Sequence, residues 1–236
     1  MKAETLTQLL KDQEAKTAVA LATDISSGDQ ALIYLDSAAG ALADKPEIVD
    51  AGRDAMRDDK SGLRATPHGD IFFHVFNPPL RMVLVGAVHI AQPLSRLAQV
   101  AGYDVAVVDP RQSFATQERF PGVTIVDEWP DDGLNKLDLD RRTAVVTLTH
   151  DPKLDDPALG VAIRSPAFYI GSLGSRKTHA GRVERLTAEG FSSAEIDRIH
   201  GPVGLRIGAV SPAEIAVSIL AEVTGILHAR EQKAAA

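Results

Sequence analysis

The sequence has no cysteine, no long hydrophobic run and no excess of positive charge. Without cysteine among its 236 residues, disulfides, thiolate metal sites and thiol nucleophiles are excluded, a pattern that fits the cytoplasm. No apolar run approaches the roughly 20 residues that span a bilayer, and the amphipathic, acid-containing start MKAETLTQLLKDQEAK does not resemble a signal peptide. A net charge of −7 argues against nucleic-acid binding. We expect a cytoplasmic protein with no membrane span and no nucleic-acid partner.

What the chain does have is an ordinary globular composition, 44% hydrophobic and 24% charged. Up to residue 76 the pattern predicts helix, strand, strand, helix and strand, in the segments TLTQLLKD, TAVALAT, ALIYLD, KPEIVDAGRDAM and IFFHVF. The turn SSGD predicts a hairpin between the first two strands. Paired prolines in NPPL then interrupt the pattern, because proline cannot continue a β ladder. We predict a small α+β domain at residues 1–77 and a second domain at residues 78–236.

Strands and helices alternate in the second domain. The predicted strands are RMVLVG, DVAVVD, VTIVDE, TAVVTLT and AFYIGS, whose near-continuous apolar character is typical of parallel strands covered on both faces. The predicted helices span residues 90–101, 155–163, 176–189 and 194–199, and a last helix begins at SPAE, where Ser211 and Glu214 form a capping box. This order predicts a Rossmann-like, doubly wound α/β domain.

Ligands of such domains bind at the carboxyl ends of the strands. Reading the residues that follow each predicted strand gives one set of candidate binding residues, drawn from five loops. They are Gly86, His89, Asp109, Arg111, His150, Asp151, Gly171, Gly174, Ser175, Arg176, Lys177 and His200.

The first of these loops resembles a dinucleotide-binding turn with one glycine missing. Gly86 can make the tight turn and Ala91 is tolerated at the third glycine position, but the branched Val88 would crowd a pyrophosphate. Pro93 predicts that the following helix starts no earlier than His89 or Ile90. An altered anion site and a purely structural crossover both remain open.

Two acidic loops follow the second and fourth strands. Asp109 lies 23 residues after Gly86, near the spacing of about 20 at which an acid meets a ribose hydroxyl, while Arg111 is able either to pair with Asp109 or to bind a phosphate. In THDPKLDDP the acids and the histidine suggest a metal site. Helix capping by Asp155 or Asp156, with Pro157 in the first turn, is the preferred interpretation.

The stretch YIGSLGSRKTHAGR is the most informative. Ser175 is a predicted N-cap, and Arg176 and Lys177 lie in the first turn of the helix, where cations oppose the helix dipole. Such cations are typically offered to an anion, with the helix N–H groups assisting. Arg182 and Arg185 lie further along the helix and are predicted to be surface residues.

These segments resemble the XdhC/CoxI family of accessory proteins, which mature xanthine dehydrogenase and related molybdenum hydroxylases. The resemblance rests on FNPPLRMVLVGAVHIAQPL, VAVVDPRQSFATQERFP, TAVVTLTHDPKLDDPAL, AFYIGSLGSRKTHAGRVERL and IHGPVGLRIGAVSPAEIAVSILAEV. It implies a Rossmann-like domain that binds molybdenum cofactor (molybdopterin), supports its sulfuration by a cysteine desulfurase and passes it to a xanthine dehydrogenase-type enzyme. It thus implies a chaperone more than a catalyst.

Two departures from the family pattern bear on this expectation. Val88 replaces a glycine in the family's Gly-Ala-Gly-His loop, although His89 is kept, and the family's glycine-rich N-terminal segment with its cysteine is absent. The alternatives are an NAD(P)-dependent oxidoreductase, which Val88 disfavours, and a scaffold that docks to the maturation complex without binding cofactor. A homodimer is a candidate assembly because it is the commonest one.

Overall fold

The division between two units falls at the paired prolines. A computed structural model describes the backbone of residues 2–234 and the side chains of residues 2–229, and it separates Met1–Pro78 from Pro79–Ala236. Proline has no N–H to donate to a β ladder. Strand pairing on either side therefore stops at this point.

The N-terminal unit is an antiparallel sheet with two helices. Its elements are α1 (Ala3–Glu14), β1 (Val19–Asp24), β2 (Gln30–Ile33), β3 (Ala38–Gly40), α2 (Pro46–Arg57), β4 (Gly62–Thr66) and β5 (Gly69–Phe76). The strand order is β3-β2-β1-β5-β4. The predicted hairpin is confirmed, since β1 and β2 pair antiparallel with Ala20 opposite Ile33. The sequence did not predict β3 and β4, which are partly exposed and carry no apolar run.

The C-terminal unit contains six strands and six helices within the described residues. They are β6 (Arg81–Val85), α3 (Ala91–Val100), β7 (Asp104–Val108), β8 (Thr124–Val126), α4 (Pro130–Lys136), β9 (Thr143–Thr147), α5 (Pro152–Arg164), β10 (Tyr169–Ser172), α6 (Arg176–Ala188), α7 (Ser193–Ile196), β11 (Ile199–His200) and α8 (Pro212–Ala234).

All pairings in this second sheet are parallel, and the strand order is β11-β10-β9-β6-β7-β8. Counted from β6, this is the Rossmann order 3-2-1-4-5-6 read backwards. The predicted doubly wound α/β fold is therefore confirmed. The strand order reverses between β6 and β9, and the loops that follow these two strands meet at that switch point.

The helices α4 and α7 differ from the sequence-based prediction. The helix α4 was not predicted, although Pro130 at its first turn is a recognised helix-start signal. The helix predicted at residues 194–199 ends instead at Ile196, because Ile199 pairs with Ile170 and extends the sheet by a sixth strand.

The helices cover both faces of the parallel sheet. One face packs against α3 and α8 through Leu94, Ile219 and Val223, and the other packs against α5 and α6 through Leu159 and Leu186. This two-sided burial explains why the strands read as continuous apolar runs.

The helix α8 begins with the predicted capping box. The N–H of Glu214 donates to Ser211 Oγ at 3.3 Å, and the N–H of Ser211 donates to Glu214 Oε2 at 2.8 Å. By length and composition alone, the segment Pro212–Ala229 is apolar enough to cross a membrane. One side of this helix, with Ile219 and Val223, is buried in the domain core.

The packing of α8 predicts the effect of shortening one side chain. Ile219→Ala removes a fully buried side chain and should lower the free energy of unfolding by about 2–5 kcal/mol. Val217→Ala is the matched control, because Val217 is 48% exposed on the same helix and should change stability by less than about 0.5 kcal/mol. Urea unfolding of the two variants measures the difference. Equal losses would contradict this packing.

Candidate functional site

A buried carboxylate organises the end of β7. Asp109 has 0% of its surface exposed. Its carboxylate accepts hydrogen bonds from the N–H of Ala87 at 2.7 Å and from the backbone N–H, Nε and Nη2 of Arg111 at 2.9, 2.8 and 2.7 Å. Burial alone would raise the pKa of Asp109, but these hydrogen bonds from Arg111 and Ala87 outweigh it and hold the pKa below its usual value of 3.8. Asp109 is thus a fixed anion that ties two loops together.

This arrangement decides between the two sequence-based roles of Arg111. Its guanidinium pairs bidentately with Asp109, and its side chain remains 40% exposed. Its pKa is raised by Asp109 and, more weakly, by the charge of Asp151. The expectation that Asp109 itself contacts a ligand needs correction, because a carboxylate without exposed surface has no access to a ribose hydroxyl. We assign Asp109 a positioning role.

The glycine turn after β6 serves packing at the switch point. Gly86 has a φ of +103°, and a Cβ added there would lie 2.3 Å from Thr149 Cγ2 in the loop after β9. Val88 packs against the core, while His89 is exposed. The N–H of Ala87, the residue after Gly86, donates to Asp109. The loop therefore keeps the Rossmann shape while its first N–H serves the fold.

The acidic segment after β9 starts a helix earlier than expected. The N-cap of α5 is Asp151, whose Oδ1 accepts from the N–H of Lys153 at 3.0 Å. The predicted capping by Asp155 or Asp156 is wrong, because both lie inside the helix and are buried. Pro152 occupies the first helical position, where proline is favoured, and this explains why α5 begins there.

The two buried acids are held by different partners. Asp155 accepts from the N–H of His150 at 3.1 Å and from the hydroxyl of Thr149 at 2.7 Å, which fixes the loop that carries His150. Burial raises the pKa of Asp155 in spite of these hydrogen bonds. Asp156 is paired bidentately with Arg185. The two buried acids therefore have structural roles: Asp155 holds the loop at His150, and Asp156 holds Arg185 of α6.

The start of α6 has the predicted cap. Ser175 Oγ accepts from the N–H of Thr178 at 3.1 Å, and Gly174 enters the helix with a φ of +148°. Arg176 and Lys177 occupy the first turn, which contains no acidic residue. Both side chains are exposed.

One of the two arginines of α6 that were predicted to lie on the surface is buried. Arg182 is only 2% exposed, and its Nη2 donates to the carbonyl of Leu173 at 3.0 Å. Arg185 is partly exposed and pairs with Asp156 across α5 and α6. The partners of both arginines lie outside α6, so helical spacing alone indicates neither the burial of Arg182 nor the ion pair of Arg185.

A pocket of about 270 Å³ lies between the starts of α5 and α6. It brings together two of the candidates, His150 and Lys177, with Thr178 and the buried Arg182. Arg176 is not among the residues that line it. The sequence thus predicted Lys177, the exposed cation at the mouth of the pocket. It did not predict Arg182, the buried cation in the wall of the pocket.

Two further candidates, His200 and Gly171, do not line this pocket. His200 stacks on Tyr169 with 4.7 Å between ring centroids, and its Nδ1 is 3.7 Å from Glu222 Oε1. Tyr169 donates a hydrogen bond to the same carboxylate. Gly171 is buried in β10, where a Cβ would lie 2.5 Å from Val203 Cγ2, so its role is packing and not contact with a ligand.

Comparison with known proteins identifies relatives for the C-terminal unit and for the whole chain. Residues 82–223 match the XdhC Rossmann domain. The chain is 33% identical to the "Molybdenum cofactor insertion chaperone PaoD" of Escherichia coli over 157 residues, 66% of this chain and 43% of that protein. It is also 33% identical over 162 residues to a Bacillus subtilis protein named as a probable xanthine dehydrogenase subunit, which covers 66% of this chain and 47% of that protein.

A solved structure has a similar fold over nearly the whole chain. This is a crystal structure described as a xanthine dehydrogenase from Bacillus halodurans, with a TM-score of 0.74 and 26% identity, covering 98% of this chain and 68% of that one. The chain spans about a third to a half of the length of the curated relatives that it matches.

Asp109, together with Arg111 and the N–H of Ala87, forms what we call the clamp at β7. This clamp predicts that Arg111 is needed for stability. Arg111→Gln removes the charged partner of a fully buried carboxylate and should lower the free energy of unfolding by about 2–3 kcal/mol. Arg96→Gln, at an exposed position of α3, is the matched control and should have an effect of less than about 0.5 kcal/mol. Urea unfolding at neutral pH gives both values. A neutral Arg111→Gln variant would contradict the clamp.

The same clamp predicts a pH dependence. The pKa of Asp109 in the folded protein lies below its usual value of 3.8, so the ionised carboxylate stabilises the fold above that value. This stabilisation is lost as the pH falls through the folded-state pKa. The stability difference between the wild type and Asp109→Asn should stay constant from about pH 7 to 5 and shrink below about pH 4. A difference that grows on acidification would rule this out.

Proposed function

The chain belongs to the XdhC family, and from that membership and the pocket beside α6 we propose that it is an accessory protein that holds molybdenum cofactor. Two relatives support this role by name, one as a molybdenum cofactor insertion chaperone and one as a probable xanthine dehydrogenase subunit. In this proposal the client is a molybdenum enzyme of the xanthine dehydrogenase type. A cysteine desulfurase that sulfurates the cofactor is the second proposed partner, and self-association as a homodimer is the proposed assembly.

The cofactor is a phosphorylated pyranopterin that chelates molybdenum, and here it is cargo. The residues at the edge of the sheet fit its charged end, because Lys177 and the buried Arg182 line one pocket with His150. The volume of about 270 Å³ lies just below the range of about 300–1,000 Å³ that is typical of complete small-molecule sites. The pocket therefore fits one end of the cofactor, and the ring system would extend along the edge.

The single observation that carries the proposal is this cluster of cations at the carboxyl edge. In doubly wound sheets this edge is the ligand-binding edge. The clamp of Asp109 and Arg111 fixes the neighbouring loops, and Asp155 fixes the backbone at His150. The fold thus presents a preformed basic pocket, which lowers the ordering cost of binding an anion.

The two other functions are less well supported. An NAD(P)-dependent oxidoreductase needs space for a pyrophosphate at the glycine turn, but Val88 stands at the second glycine position and Gly86 lies against Thr149. A scaffold that binds no cofactor leaves the two cations that line the pocket, Lys177 and Arg182, without a ligand. The cofactor-binding role accounts for both features.

The proposal predicts that the protein retains molybdopterin. Protein purified from cells that make the cofactor should carry bound pterin, measured by pterin fluorescence after oxidation. Lys177→Gln should lower the bound fraction several-fold, because a charge-assisted hydrogen bond is lost. Lys153→Gln is the matched control, since Lys153 is an exposed lysine of α5 outside the pocket.

Two outcomes would count against this function. No pterin on any form of the protein, combined with capture of the dehydrogenase in a cofactor-free pull-down, would favour the scaffold. Tight binding of NAD or NADP in calorimetry, without pterin, would favour the oxidoreductase.

A further inference from the structure

The buried arginine of α6 lacks a full set of partners. Arg182 is 2% exposed, and its Nε has no hydrogen-bond partner among the described residues. Among the described residues, Nη1 has a long contact of 3.5 Å with His179 Nδ1, and Nη2 alone makes a hydrogen bond of normal length, to the carbonyl of Leu173 at 3.0 Å. Buried charged donors without partners are costly in free energy. The guanidinium therefore has donor capacity that its contacts with the described residues do not fill, and it lies in the lining of the pocket.

The nearby acids satisfy Arg182 only in part. The closest approach of Asp155 to Arg182 is 4.0 Å, and the oxygens of Asp155 already accept from Thr149 and His150. The carboxylate of Asp156 is taken by Arg185. Three cations and two carboxylates line the pocket. Arg185 pairs with Asp156, so the carboxylate that remains for Lys177 and Arg182 is that of Asp155. Its oxygens already accept hydrogen bonds from Thr149 and His150.

The start of α6 adds further donors at the same place. The first N–H groups of a helix have no partner within the helix, and they carry its positive dipole end. Ser175 caps only the N–H of Thr178. Ser175 accepts from no other N–H of the first turn among the hydrogen bonds of the described residues, and Lys177 and Thr178 of this turn line the pocket. The pocket thus lies beside the positive end of the α6 dipole.

We propose that the pocket between α5 and α6 is a phosphate-monoester site, with the buried guanidinium of Arg182 at its wall and the ammonium of Lys177 at its mouth. A phosphate monoester carries about −1.5 to −2 charges at neutral pH and three acceptor oxygens. It matches two cations and several donors better than a carboxylate does. The inference rests on the proposed function for the choice of ligand, the phosphate end of the cofactor, and not for the choice of site.

The test is a titration of the whole protein with inorganic phosphate and with phenyl phosphate, followed by calorimetry and by backbone amide NMR. Both ligands should bind at the same site and compete, and the amide signals of Lys177, Thr178 and Gly181 should shift most. Lys177→Gln should weaken binding about tenfold, while Lys153→Gln should leave it unchanged. Arg182→Gln should abolish it.

Folding of the arginine variant is checked by circular dichroism. Should Arg182→Gln not fold, the amide shifts and the contrast between Lys177→Gln and Lys153→Gln decide the matter. Shifts centred elsewhere, equal affinity in the two lysine variants, binding of inorganic phosphate without phenyl phosphate, or no binding at millimolar concentration would each overturn the site.

The outcomes also separate this site from the proposed function. Phosphate esters bound here by a protein that never retains molybdopterin would support the site and count against the function. Molybdopterin retained equally by the wild type and Lys177→Gln, without competition from phosphate, would overturn the site and leave the function standing.

Discussion

Charges removed from water must be paired, and this constraint decides which charged residues at the sheet edge remain to bind a ligand. Asp109 is fully buried and takes Arg111 together with the N–H of Ala87. Asp156 takes Arg185. These pairings remove two of the basic residues at the edge from direct binding, and they fix the loops around the pocket. Arg182 is the exception, because it is buried but only partly paired.

The fold was largely predictable where a strong local pattern existed. The interior strands β6, β7 and β9 are apolar throughout and were found from sequence, as was the capping box of Ser211 and Glu214 at the start of α8. The short or exposed strands β3, β4 and β11 were missed, because their pairing depends on neighbours that are distant in sequence. The predicted domain division was based on the paired prolines. The two units of the structure separate between Pro78 and Pro79.

The candidate site was predictable only in outline. The ends of the predicted strands β9 and β10 correctly indicated the loops beside the pocket, and the cap at Ser175 is as expected. Burial of Arg182 and the pairing of Arg185 with Asp156 were not foreseeable from α6 alone, since those contacts depend on how α5 and α6 pack. Asp151 followed by Pro152 is a recognisable N-cap signal for α5, but the sequence-based prediction placed the cap at Asp155 or Asp156. A buried acid pair in a helix of otherwise apolar buried residues is the pattern that points to arginine partners nearby.

The most direct test of this account is a crystal structure of the protein with bound molybdopterin. We expect density for the phosphate within hydrogen-bonding distance of the Arg182 guanidinium and near Lys177, with the loops at Ala87 and Asp109 unchanged. A phosphate bound at the glycine turn after β6, with Arg182 still lacking a partner, would contradict the account.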